Sequence, residues 1–164
     1  MPVHSAALLL YRVGATGTEV FVAHMGGPFW ASKDDAAWSL PKGEFDPDVE
    51  QAMDAAMREF REELGVEPPA GDYAELGTFP YASGKRVTVF VVDGSAYDPG
   101  EFAFGEFELE WPPRSGRRQS FPEVDRAEWV PIDRAHDLLV KGQRPALDRL
   151  AELLADVGRD GSRA

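Results

Sequence analysis

Arg58-Glu59-Phe60-Arg61-Glu62-Glu63-Leu64-Gly65-Val66 closes a segment with helical periodicity. It places three carboxylates within five residues at the C-terminal end of the predicted helix, where the macrodipole is already negative. Like charges three and four residues apart repel, and the chain carries a net charge of −12 over its 164 residues. The cluster therefore costs stability unless a cation sits among it. At about 100° per residue, Val49, Met53, Ala56, Phe60 and Leu64 share one stripe that should face a core. Glu59, Glu62 and Glu63 fall in a wedge beside that stripe, with Ala52 and Ala55 one or two turns earlier leaving space in front of the acids. Hard carboxylate oxygens on a rigid element suit Mg²⁺ or Mn²⁺, and Mg²⁺ commonly bridges a few carboxylates to substrate phosphates. The alternative is a solvated acidic edge, with Arg58 paired to Glu62 at i+4.

Working outward, the spacing predicts a helix over 48–64, capped by Asp46 or Asp48 with Pro47 suited to the first turn. Gly65 stands where a left-handed C-terminal cap belongs, and Glu67-Pro68-Pro69 stops any continuation. Upstream, residues 3–13 read as a buried strand and 18–25 as a second, followed by a Gly-, Pro- and Asp-rich loop over 26–37. Residues 38–45 read as one short strand running into a loop. Downstream, 73–81 and 85–93 form a strand pair across Ala82-Ser83-Gly84. Residues 107–111 alternate as a half-buried strand, 111–123 form a basic, Pro-containing loop, and 127–132 are the last strand. Helices follow over 134–139 and 145–157. Strands then helix, then strands and helices again, predict an α/β class (mixed α+β): a mixed sheet with helices on its faces. One domain is expected over 1–158, with 159–164 as a flexible tail.

The chain has no cysteine, which excludes disulfides and thiolate metal sites and fits a cytoplasmic location. No apolar run approaches the ~20 residues that span a bilayer, so neither a signal peptide nor a membrane partner is expected. The acidity argues against a nucleic-acid duplex as partner, because such binding rests on Lys and Arg neutralising phosphate. A small phosphate substrate would need local cations.

The segment from Gly43 to Val66 resembles the signature of the Nudix (MutT-like) hydrolases. Glu50 is followed by seven residues and Arg58-Glu59; Phe60 fills an apolar place; Glu62-Glu63, Gly65 and Val66 follow. One departure stands out: six residues separate Gly43 from Glu50 where the usual pattern has five. The resemblance implies the Nudix fold, a mixed β-sheet sandwiched between helices (α/β/α). It implies Mg²⁺- or Mn²⁺-dependent hydrolysis of a pyrophosphate bond in a nucleoside diphosphate linked to another moiety. It implies Glu59, Glu62 and Glu63 as metal ligands with the Gly43 carbonyl, Arg58 as the residue that orients the acids, and Glu50 as mainly structural. Family members often use an acid outside the signature as base or further ligand; Glu123 is the best match here, with Glu108 and Glu110 as rivals. Lys42 stands where many relatives have glycine, resembling members that act on dinucleoside polyphosphates, diphosphoinositol phosphates or capped RNA ends. Lys42, Arg114, Arg117 and Arg118 are candidate phosphate contacts. Phe29, Trp30 and Trp38 serve either a base or the core, and His4, His24 and His136 show no metal-ligand spacing. Dimers are common among the proteins this chain resembles, which leaves both a monomer and a homodimer open. The reading from a different class is a catalytically inactive Nudix-fold nucleotide-binding sensor or regulator; the intact acid cluster favours the enzyme.

Overall fold

A computed structural model describes residues 2–161. Strand β1 (His4–Gly14) carries the run Ala6-Ala7-Leu8-Leu9-Leu10, every residue of which is buried. Side chains alternate between the two faces of a strand, so an uninterrupted apolar run needs a core on each side. Ala7 and Leu9 enter one core, and Ala6, Leu8 and Leu10 enter the other. Strand β6 (Arg86–Asp93) lies parallel to β1 and repeats the alternation, with Val87, Val89 and Val91 on one face and Phe90 and Val92 on the opposite one.

Around this pair, β2 (Gly17–Met25) is antiparallel to β1, and β5 (Ala74–Pro80) is antiparallel to β6. β9 (Val124–Pro131) runs antiparallel along the other edge of β2. β1 and β2 pair only over Tyr11–Gly14 and Gly17–Val20. Into the gap beyond go β3 (Trp38–Ser39), paired with β2, and β4 (Lys42–Phe45), paired with β1. The single strand predicted over 38–45 is thus two, separated at Leu40-Pro41, where the Pro41 carbonyl accepts the Leu8 N–H at 3.1 Å. The sheet has seven strands and is mixed. Helix α1 (Ala52–Leu64) covers one face through Ala55, Ala56, Phe60 and Leu64. α2 (Ile132–Leu138) and α3 (Arg144–Gly161) cover the other through Ala135, Leu138, Leu147 and Leu150. This is the α/β/α arrangement expected. Among the described residues no helix is long and apolar enough to cross a membrane.

Local differences have local causes. α1 begins at Ala52, not residue 48. The Asp46 carbonyl accepts the N–H groups of Val49 and Glu50 at 3.0 Å, and its side chain accepts that of Asp48 at 2.9 Å. Asp46 therefore closes a turn of its own, which absorbs the extra residue of the loop, and Gln51 takes the cap position without a side-chain bond. Val49 falls off the stripe and is 83% exposed, whereas Ala55 is fully buried and packs in the core instead of fronting the acids. Gly65 ends the helix as predicted, with φ 68° and its N–H on the Arg61 carbonyl at 2.8 Å. Residues 118–122, predicted as loop, form β8 (Arg118–Pro122), which pairs with β7 (Glu106–Glu110) in a separate hairpin through the Phe107–Phe121 cross-strand contact. α3 runs past 157 to Gly161, so the first part of the expected tail is helical; residues 162–164 lie outside the described residues.

Candidate active site

The site grows from the contact of α1 with β4. Glu63 Oε2 accepts the Lys42 backbone N–H at 3.2 Å. A Cβ at Gly43 would overlap the Glu59 carboxyl group, so a side chain there would push that carboxyl out of its place against the strand. Arg58 then sorts the acids. Its Nε and Nη2 clasp both oxygens of Glu50 at 2.9 and 2.8 Å, while Nη1 donates to Glu59 Oε1 at 2.9 Å and Glu62 Oε2 at 3.2 Å. Glu50 keeps this reach despite the longer loop. Glu123 sits between β8 and β9, its N–H on the Gly105 carbonyl at 2.7 Å and its carbonyl accepting the Gly26 N–H at 2.9 Å.

These elements enclose a cavity of about 390 Å³ lined by Glu59, Glu63, Glu123, Gly43, Lys42 and Lys85. Trp30 and Phe107 supply part of its apolar wall. Burial is the main force on the acids. It raises the Glu59 carboxyl, against the opposing Arg58 bond and with help from Glu62 and Glu123. It pushes Glu63 up to about 8, partly countered by Lys42 and reinforced by Glu123 and Glu59. It raises Glu123, with Glu62 adding to the effect. Burial lowers the Lys42 ammonium, and the charge of Lys85 lowers it further. Perturbed groups gathered in one concavity mark a functional site.

Other residues singled out in the sequence lie elsewhere. The Glu62 side chain is 56% exposed and rests on Arg58, beside the cavity lining. Arg117 and Arg118 are exposed on the β7–β8 hairpin outside the lining, and Arg118 pairs with Glu108 at 3.4 Å. Both Glu108 and Glu110 are exposed, and Glu110 accepts the Gly116 N–H at 2.9 Å. Trp38 is core, and exposed Phe29 meets Trp111 edge-on at 5.3 Å. His24 is fully buried: Nε2 donates to the Lys33 carbonyl at 2.6 Å and Nδ1 faces Asp125 Oδ1 at 2.7 Å, which fixes the 26–37 loop. Sequence reasoning missed Lys85, Phe107 and the buried Gln143, because nothing local to those residues signals what they meet across the fold.

A divalent cation implied by the signature can be tested against these donors. In kind they fit: hard oxygens from Glu59, Glu63, Glu123 and the Gly43 backbone share one wall, and their mutual repulsion is what a cation relieves. Among the described residues no three His, Cys, Asp or Glu side chains already converge as a metal-holding group. Arg58 holds Glu59 and Glu62 to itself.

Solved structures share the architecture. An Ap4A hydrolase binary complex from C. elegans matches at TM-score 0.61 and 20% identity, over 94% of this chain and 98% of that one. The NUDIX domain of Shewanella oneidensis NrtR complexed with ADP ribose matches at 0.61 and 14%, over 94% and 89%. The MutT protein from Methanosarcina mazei Go1 matches at 0.57 and 21%, over 92% and 94%. At such identities the likeness establishes the fold. No curated protein sequence matches the chain. The family model for the NUDIX domain, however, matches residues 2–150, and with Glu59 and Glu63 of the signature brought to a single cavity by that fold, the chain belongs to the Nudix family.

Proposed function

We propose that the chain hydrolyses a pyrophosphate bond in a nucleoside diphosphate linked to another moiety, with Mg²⁺ or Mn²⁺ as cofactor. The observation that carries this reading is the gathering of Glu59, Glu63 and Glu123 around one cavity with Gly43. Glu59, Glu62, Glu63 and the Gly43 carbonyl would hold the cation. When bound, such a cation offsets phosphate charge and lowers the pKa of an attacking water. The remaining work falls to the chain itself. Arg58 orients Glu59 and Glu62 by direct ion pairs. Glu123, whose affinity for a proton is raised by burial, accepts the proton from the water. Lys42 contacts a phosphate oxygen from the cavity wall. Arg117 and Arg118 serve whatever part of the substrate extends beyond the cavity toward the hairpin.

The substrate is a small nucleotide or polyphosphate. A cavity of about 390 Å³ lies in the small-molecule range, and a net charge of −12 disfavours a nucleic-acid duplex. The test is a panel of nucleoside triphosphates, dinucleoside polyphosphates, nucleotide sugars and inositol pyrophosphates, with Mg²⁺, Mn²⁺ or EDTA, reading phosphate or nucleotide release. Release from at least one nucleotide with metal and none in EDTA is expected. No release from any compound overturns the proposal.

A further inference from the structure

We infer that His24 and Asp125 are positioning residues for Glu123: their side-chain pair locks a β-bulge at the start of β9 and so sets where the Glu123 carboxyl group stands in the cavity. The inference rests on the proposed role of Glu123 as proton acceptor and names what holds it in place.

β2 and β9 keep one register from Glu19–Pro131 to His24–Arg126, but Met25 then pairs with Val124. Asp125 is left without a partner in the ladder, the mark of a β-bulge. The extra residue turns the strand over. Ala127 and Trp129 pack in the core under α1 and Val130 in the opposite one, so strict alternation would send Val124 with Val130. Val124 enters the α1 core instead, because a shift of one residue exchanges the faces. The same shift draws Glu123 back one position along β2. Its carbonyl accepts the Gly26 N–H at 2.9 Å, where an unbroken register would set it opposite Gly27. Glu123 then lines the cavity with Glu59 and Glu63. The junction is tight: a Cβ at Gly26 would overlap the Pro122 carbonyl, and the Glu123 N–H donates to the Gly105 carbonyl at 2.7 Å.

A residue outside the ladder needs another hold, and the His24 ring supplies it. Nδ1 meets Asp125 Oδ1 at 2.7 Å, while Nε2 is committed to the Lys33 carbonyl at 2.6 Å. The other cation near Asp125, Arg126 Nε, is 3.8 Å away, beyond hydrogen-bond distance. His24 is fully buried, so Asp125 cannot swing out without stripping a buried ring nitrogen of its partner, which costs more than the bond itself returns. Neither His24 nor Asp125 lines the cavity; whatever they contribute to the reaction passes through what they hold. A catalytic group works only when its support keeps it within about 0.5 Å of its productive place, and the locked bulge is that support for Glu123. The Lys33 bond extends the hold to the 26–37 loop, which brings Trp30 to the cavity wall. Arg126 Nη2, 3.6 Å from Asp34, ties the same loop to β9 from the outside.

The test changes Asp125, whose side chain is 29% exposed, and leaves the buried ring in place. Asp125→Ala removes the bond. Asp125→Asn keeps one, since an amide can donate to Nδ1 or accept from it. Exchange of the Gly26 amide hydrogen is followed by nuclear magnetic resonance on metal-free protein, and kcat and KM are measured with Mg²⁺ on the best panel substrate. Asp125→Ala should speed Gly26 exchange and lower kcat, each about tenfold, with KM moved by less than about twofold and the melting temperature by a few degrees. Asp125→Asn should restore both. On a Glu123→Gln background Asp125→Ala should lower kcat no further, because residues that act through one another are not additive. Gly26 exchange unmoved by Asp125→Ala, or the full loss repeated on top of Glu123→Gln, overturns the inference. Hydrolysis with kcat indifferent to Asp125→Ala defeats the lock alone. A wild type that hydrolyses nothing, with Gly26 exchange still responding to Asp125→Ala and rescued by Asp125→Asn, defeats the proposed activity and leaves the lock on Glu123 standing.

Discussion

The α1 acids and the β7–β8 hairpin are both dense in charge, yet the fold treats them in opposite ways. On the hairpin, Arg117 and Arg118 point to solvent, Glu108 pairs with Arg118, and Glu110 meets a backbone N–H. Such exposed charges contribute little to stability, and their exposure by itself marks no site. Glu59 is 15% exposed on its side chain and lines, with Glu63 and Glu123, a cavity where burial raises all three carboxyls. Charges held at a cost are the informative ones. Glu59 and Glu63 also stand on a helix whose adjoining stripe is locked in the core by Phe60 and Leu64, whereas the hairpin belongs to neither core of the main sheet except through its ends.

The largest expected contrast is in stability. Phe60→Ala should cost about 3–5 kcal/mol, because it empties a fully buried aromatic site. Leu109→Ala on the half-exposed hairpin should cost less than about 1.5 kcal/mol. Denaturant titration of the two variants checks this, and equal losses would place the hairpin in the core's cooperative unit. Next comes turnover. Glu59→Gln and Glu62→Gln should each lower kcat at least about 100-fold with little change in melting temperature. The double change Arg117→Ala, Arg118→Ala should raise KM by no more than about threefold. Unchanged turnover in Glu62→Gln would remove that residue from the site and leave it as Arg58's surface partner.

A third contrast uses pH. In the unfolded chain Glu63 titrates near 4.3, and in the fold it is pushed up to about 8. The native state therefore holds the proton more tightly, and stability is full below the unfolded value and lost as pH rises through the folded one. Metal-free protein should melt at progressively lower temperature from about pH 4.5 to pH 8, and Glu63→Gln should flatten most of that slope. An identical slope in the variant would show that burial of Glu63 is not what the pH dependence reports. The smallest effect is a rise of a few degrees in melting temperature with millimolar Mg²⁺, by preferential binding to the native state; a flat response would support the solvated-edge reading of the acids.

The legible parts of the sequence were those whose cause is local. Gly65 could be read as a cap because a left-handed residue after an amphipathic run has few other uses, and the apolar run of β1 announced a buried strand, whose two faces enter separate cores. The start of α1 was misread because Asp46 can cap a helix or close its own turn, and only the tertiary course of the loop decides between them. The β8 strand was hidden by its Arg-rich, Pro-bounded composition; its pairing with β7 depends on Phe107 meeting Phe121 across the hairpin. In the site, helical spacing grouped Glu59, Glu62 and Glu63, but burial separates them: two line the cavity and Glu62 lies outside it. Lys85 and Gln143 carry no signal of their own, since their neighbours come from β4, β3 and the β5–β6 turn.

The most direct measurement of the central claim is Mn²⁺ binding by electron paramagnetic resonance to the wild-type protein, Glu59→Gln and Glu63→Gln, with hydrolysis of the best panel substrate followed on the same samples. Tight Mn²⁺ binding that tracks hydrolysis in the wild type, and falls together with it in both variants with no fall in melting temperature, is the expected result. Mn²⁺ bound equally well by all three proteins, or hydrolysis that persists when either acid is neutralised, would contradict the assignment of these carboxylates to a cation that serves phosphate chemistry.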